Sequence, residues 1–181
     1  MEVDYSKIKL HPLFDPIKKI YEFYVLGCIF IIQQDFQELV LQSHPELKQL
    51  IDTYNQAINR EIEGTRVKGN PKMYYVNICR LMAIPIFDIL QCSKYHNLVK
   101  KTEIFQFAKH IRNGAAHENK FYLTPPITSS IIWRKFTINQ GLNNTIVFPD
   151  FIGAETLIFL MQDISEMIEK DGKKKNGHHS T

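Results

Sequence analysis

With 181 residues, 44% of them hydrophobic, the chain has apolar material for one sizeable core and a single domain. A formal net charge of +3 is too mild to announce nucleic-acid binding through bulk electrostatics, and much of the excess sits in Lys170, Lys173, Lys174 and Lys175. Cys28, Cys79 and Cys92 form an odd set without CxxC spacing, which argues against a zinc site and for buried thiols in a reducing compartment.

The N-terminus is charged and lacks the apolar core of a secretory signal. Val25–Ile32 is a run of eight apolar residues, short of the ~20 that a membrane span needs. A soluble, cytoplasmic protein without membrane contact is therefore expected. His11-Pro12 to Asp15-Pro16 is a turn-rich entry in which Asp15 can cap a helix with proline at its first position. Apolar residues then recur at three and four, from Ile20 and Tyr21 through Phe36, Leu39 and Val40. The spacing predicts one long helix ending near Ser43.

Ser43-His44-Pro45-Glu46 starts a second helix with Leu47, Leu50, Ile51, Tyr54, Ala57 and Ile58 on one face. The basic, glycine-bearing loop 63–71 lacks a phosphate-loop pattern and reads as a connector. A third helix is expected from about Lys72 to Gln91, kinked at Pro85. A fourth carries Ile104, Phe107, Ala108 and Ile111. Thr124-Pro125-Pro126 then forbids helix, and the runs Ile131–Ile138 and Asn144–Phe148 have strand character. The turn formers between them, Asn139 to Asn143, predict a β-hairpin insertion at about 130–148. A last helix follows Pro149-Asp150, with Ile152, Leu157, Ile158, Leu160, Met161, Ile164, Met167 and Ile168. The polar, basic stretch 171–181 is expected to be disordered. The predicted fold is an all-α, up-and-down bundle of about five helices spanning 1–170, with the hairpin before the last helix.

The chemistry concentrates in Lys109-His110-Ile111-Arg112-Asn113-Gly114-Ala115-Ala116-His117-Glu118-Asn119. A permanently cationic Arg and a His titrating near neutrality stand close together, separated by a polar amide and small residues that would let a backbone or substrate approach. An Arg followed five to seven residues later by His is expected roughly 0.6 times by chance at this composition, but requiring Asn directly after the Arg lowers that to about 0.04. Other constellations fail. His117-Glu118 has no second His at zinc-protease spacing, His110 and His117 lack a third ligand, and no Ser/His/Asp set or glycine-rich phosphate loop is present. No metal or cofactor is expected.

Arg112-Asn113-Gly114-Ala115-Ala116-His117 resembles the Arg-polar-x-x-x-His signature of the HEPN domain family, in the wording of its abortive-infection and toxin branches. The likeness covers about a dozen residues and, beyond them, the helical arrangement. It implies a metal-independent endoribonuclease working as a homodimer, a toxin or antiviral effector held in check by an antitoxin or nucleotidyltransferase partner. The site it implies is catalytic Arg112, His117 and Asn113; Lys109, His110, Asn119, Lys120 and Tyr122 flank the motif as RNA contacts or, in the alternative reading of each, as solvated or packing residues.

The chemistry is coherent. RNA supplies its own nucleophile, the 2′-hydroxyl, so the protein needs a base, an acid and a cation for the phosphorane. His117 suits proton transfer and Arg112 matches paired phosphate oxygens, while Asn113 can hold the phosphate or orient the His. Positions five apart on an unbroken helix point about 140° from each other. Either Gly114 breaks the helix or the site is shared between two chains, with Ala115 and Ala116 allowing close approach. The alternative is a catalytically silent module that docks an antitoxin, a nucleotidyltransferase or nucleic acid.

Overall fold

The computed structural model describes residues 8–32, 34–49, 51–52, 56 and 71–177. Among these residues there are six helices: α1 (Asp15–Ile32), α2 (Gln34–Ser43), α3 (Pro71–Cys92), α4 (His96–Val99), α5 (Glu103–Ala116) and α6 (Ala154–Gly177). One antiparallel hairpin, β1 (Ile131–Trp133) and β2 (Phe136–Ile138), precedes the last helix. This is the all-α architecture with a hairpin insertion that the apolar periodicity predicts.

The chain enters earlier than the Asp15 cap predicts. His11 Nδ1 accepts from the Leu13 amide, and a 3-10 turn at Pro12–Phe14 leads directly into α1. The single helix expected as far as Ser43 is described as α1 and α2, on either side of residue 33, which lies outside the described set. Pro45–Leu47 is a 3-10 turn, and most of the helix predicted beyond it, like the basic loop at 63–70, also lies outside that set.

α3 is central. Cys79, Met82, Ala83, Ile86 and Leu90 recur at three, four and seven and are all buried. The helix packs against α5, α1 and α6. Over Tyr75–Cys92 it is long and apolar enough to cross a membrane by length and composition alone, and 33% of that stretch is buried against its neighbours. Pro85 lies inside it and the helix continues, the missing donor falling opposite the carbonyl of the exposed Leu81. Cys79 is buried as expected, and burial first, then the charge of Glu155, pushes its thiol up to about 12. Cys92, expected to be buried, is exposed at the end of α3.

α5 starts where Thr102 Oγ1 accepts from the Phe105 amide, with Glu103 favourably placed in the first turn. Its buried stripe is Ile104, Phe107, Ala108, Ile111 and Ala115. Residue 80 of α3 meets residue 115 of α5, and Phe87 meets Phe105, so the two helices run antiparallel.

The hairpin differs from its prediction. The stretch read as one strand, Ile131–Ile138, is itself the whole hairpin, turning at Arg134-Lys135 with Trp133 paired to Phe136. Arg134 takes φ 51° there, a conformation that its side chain secures: the guanidinium donates to both Asp163 carboxylate oxygens at 2.8 and 2.6 Å and lies over Phe159. Trp133 Nε1 donates to the same carboxylate, and its ring packs on Phe107 of α5. The predicted second strand, Asn144–Phe148, pairs elsewhere, against 119–121, through the bridge Lys120–Ile146 and the bonds Phe121 N to Thr145 O and Val147 N to Asn119 O.

α6 begins where Tyr75 Oη accepts from the Ala154 amide and donates to Glu155, filling one of the orphan amides of a helix start. It runs to Gly177, past Asp171 where the composition predicts disorder. Lysine is a good helix former, and the core helix supplies a template from which to propagate. His178 and His179 lie outside the described residues.

Candidate functional site

α5 is helical without interruption from Glu103 to Ala116, so Gly114 does not break it. Positions five apart on a helix point about 140° from each other, and Arg112 and His117, the cap just past the last helical residue, meet different neighbours, Asp88 and Tyr122. Arg112 turns toward α3, where its Nε donates to Asp88 Oδ1 at 3.1 Å. The two side chains are 33% and 43% exposed, so the pair is worth only about 0–1 kcal/mol and can be exchanged for another anion. His117 is the C-terminal cap. Its amide bonds to the carbonyls of Asn113 and Gly114, and its exposed ring stacks on the exposed Tyr122 at 4.7 Å between centroids.

The small residues serve the interior of the protomer. A Cβ at Gly114 would meet Val147 Cγ2 at 2.5 Å and the Lys120 carbonyl oxygen at 3.1 Å, so glycine is required by the 119–121 and 144–147 pairing packed against α5. Ala115, expected to face a partner or a substrate, is fully buried. Ala116 alone of the two is exposed.

Asn119 corrects the sequence-based list. Expected to touch RNA, it is buried at φ 62°, its amide donating to Phe148 O at 2.6 Å and accepting from Phe148 N at 2.9 Å. That two-way clamp uses its amide inside the fold and fixes the segment after the motif. His110 is half-buried with Nδ1 sequestered and unpartnered. Burial first, and the positive Lys109 second, lower its pKa from the ordinary imidazole value, which disfavours its charged form. Lys109, Lys120 and Tyr122 are exposed, as RNA contacts would need to be, and Asn113 is half-buried on the motif helix.

Two residues at the site escape sequence inspection. Asp88 is the partner of Arg112, and Arg80 donates through Nε to the Ala115 carbonyl at 2.7 Å. Both sit on α3, far from the motif in sequence, and reach it only because α3 and α5 are antiparallel neighbours.

No protein-family model, no curated protein and no solved structure matches the chain, so the chemistry of these residues carries the functional argument. Two surface grooves, of about 690 and 710 Å³, are lined by other residues, among them His11, Lys94 and Glu169 in one and Leu10, Tyr21 and Ile158 in the other. Among the described residues no group of three or more His, Cys, Asp or Glu side chains is arranged to hold a metal ion.

Proposed function

We propose that the protein is a metal-independent endoribonuclease of the HEPN type, acting in the cytoplasm as a homodimer in a toxin or antiviral role. The observation that carries the proposal is the placement of His117. Its imidazole is exposed at the end of the motif helix and held against Tyr122, free to meet a substrate rather than bonded into the core. In this reaction His117 moves protons between the 2′-hydroxyl, solvent and the 5′-oxygen, and Arg112 stabilises the phosphorane. The cut leaves a 2′,3′-cyclic phosphate and a 5′-hydroxyl.

The divergence of Arg112 and His117 within one protomer is the reason for a shared site. A two-fold pairing would set one chain's His117 beside the other chain's Arg112 and supply the second proton-transfer group. The loose Arg112–Asp88 pair would open when a phosphate arrives. That same pair favours a second reading, a silent HEPN-like module that docks an antitoxin, a nucleotidyltransferase or nucleic acid, with Arg112 serving only to join α3 and α5.

A complementation experiment separates the two. His117→Ala and Arg112→Ala proteins, each inactive alone, should regain part of the activity when mixed, and the products should carry cyclic-phosphate ends. Folded variants that still cut, or a mixture that gains nothing while wild type cuts as a monomer, would contradict the shared site.

A further inference from the structure

We propose that Arg80 is a phosphate-binding residue of the His117 site, standing at the same end of α5 as His117 and without a carboxylate partner among the described residues. The inference rests on the ribonuclease reading and extends it by naming a second cation at the end of α5 where His117 stands.

The geometry follows from the antiparallel packing. Arg80 is level with Ala115, two residues before His117, whereas Asp88 lies eight residues further along α3, about 12 Å at 1.5 Å per residue. Arg112 is therefore drawn back along the bundle toward Asp88, away from the helix end, while Arg80 remains there.

The carbonyls of the last turn complete the picture. Those of Asn113 and Gly114 accept from the His117 amide, that of His117 accepts from Lys120, and that of Ala115 accepts from Arg80 Nε. One of the five guanidinium donors holds the residue in place, and among the described residues nothing bonds to the terminal amino groups, which leaves them for a ligand. A helix C-terminus carries partial negative charge and would repel a phosphate brought to His117. A guanidinium seated on that end reverses the local sign. It also offers the planar fork that paired phosphate oxygens fit.

A purely structural Arg80 would do no more than cap α5, so the test needs a readout that capping does not move. Binding of a 2′-O-methyl RNA oligonucleotide, which cannot be cleaved by 2′-hydroxyl attack, is followed across salt concentrations by fluorescence anisotropy for wild type and Arg80→Gln. Glutamine can still donate to Ala115 O but carries no charge. The variant is expected to bind about tenfold more weakly, with a salt slope reduced by about one. Should Arg80→Gln fail to fold, phenylglyoxal modification of wild type, located by mass spectrometry, decides instead: bound oligonucleotide should protect Arg80.

An unchanged slope in a folded variant, a wild type that does not bind, or modification of Arg80 equal with and without oligonucleotide overturns the proposal. The two claims fail separately. A wild type that protects Arg80 yet never cuts RNA leaves the phosphate site standing and removes the ribonuclease reading. One that cuts RNA with Arg80 unprotected does the reverse.

Discussion

Replacing Gly114 by alanine sets two physical effects against each other. Alanine inside a helix gains up to about 1 kcal/mol over glycine. Against that, the new methyl carbon would lie 2.5 Å from Val147 Cγ2 and 3.1 Å from the Lys120 carbonyl oxygen, where carbon–carbon contacts are comfortable at about 3.5–4.0 Å. Neither neighbour can step aside freely. Val147 is fully buried with its amide bonded to Asn119 O, and Lys120 presents backbone. Overpacking of this kind costs about 1–3 kcal/mol, and the rigid neighbours put this site in the upper part of that range. The net loss is expected to be about 1–2 kcal/mol, a fall in Tm of roughly 2–8 °C for a domain of this size.

Urea and thermal unfolding followed by circular dichroism measure it. Adding Val147→Ala removes the closer contact, so the double variant should lose less than the sum of the singles by about 1 kcal/mol. A Gly114→Ala protein as stable as wild type, or more so, would refute the packing argument. It would return Gly114 to the role the sequence suggests, room for a substrate or a second chain.

Asn119→Ala should cost about 2–4 kcal/mol, because it leaves the Phe148 amide and carbonyl unpaired and puts an ordinary side chain at positive φ. Asn119→Gly should be milder, and a loss below about 0.5 kcal/mol for the alanine variant in urea unfolding would contradict the clamp. Burial alone would raise the Asp163 pKa, but bonds from Arg134 and Trp133, with the charges of Arg134 and Lys170, together hold it below the ordinary aspartate value. A depressed folded pKa gives stability that is present above the unfolded value of about 3.9 and is lost as pH falls through the folded one. Acid unfolding of Asp163→Asn should therefore start from a lower stability at neutral pH and show a shallower decline below about pH 4 than wild type; parallel curves would argue against the linkage.

Much of this fold is legible in the sequence because α3, α5 and α6 bury one face each, and the three-and-four spacing of Met82, Ile86 and Leu90, or of Ile104, Phe107 and Ile111, records that burial. The hairpin was legible in place but not in register. Its turn, Arg134-Lys135, has none of the usual Asn-Gly signals, and Arg134 keeps its positive φ through Asp163 on a distant helix. The turn formers at 139–143 do other work: Asn139 caps a 3-10 turn and Asn143 accepts from the Leu123 amide.

At the site, Arg112 and His117 stand out because they are near neighbours in sequence. Arg80 and Asp88 do not, since only the antiparallel packing of α3 on α5 brings them there. Asn119 misleads for a related reason. A polar residue beside a motif looks available until the segment it clamps is known.

The most direct test of ribonuclease action at His117 is cleavage of single-stranded RNA in the presence of EDTA by wild type, His117→Ala and Arg112→Ala, each verified as folded. Wild type is expected to cut, leaving 2′,3′-cyclic phosphate ends, and loss of the proton-transfer group should slow the reaction by ~10²–10⁴-fold. Folded His117→Ala protein that cuts as fast as wild type would contradict the assignment and make the motif a structural feature of α5.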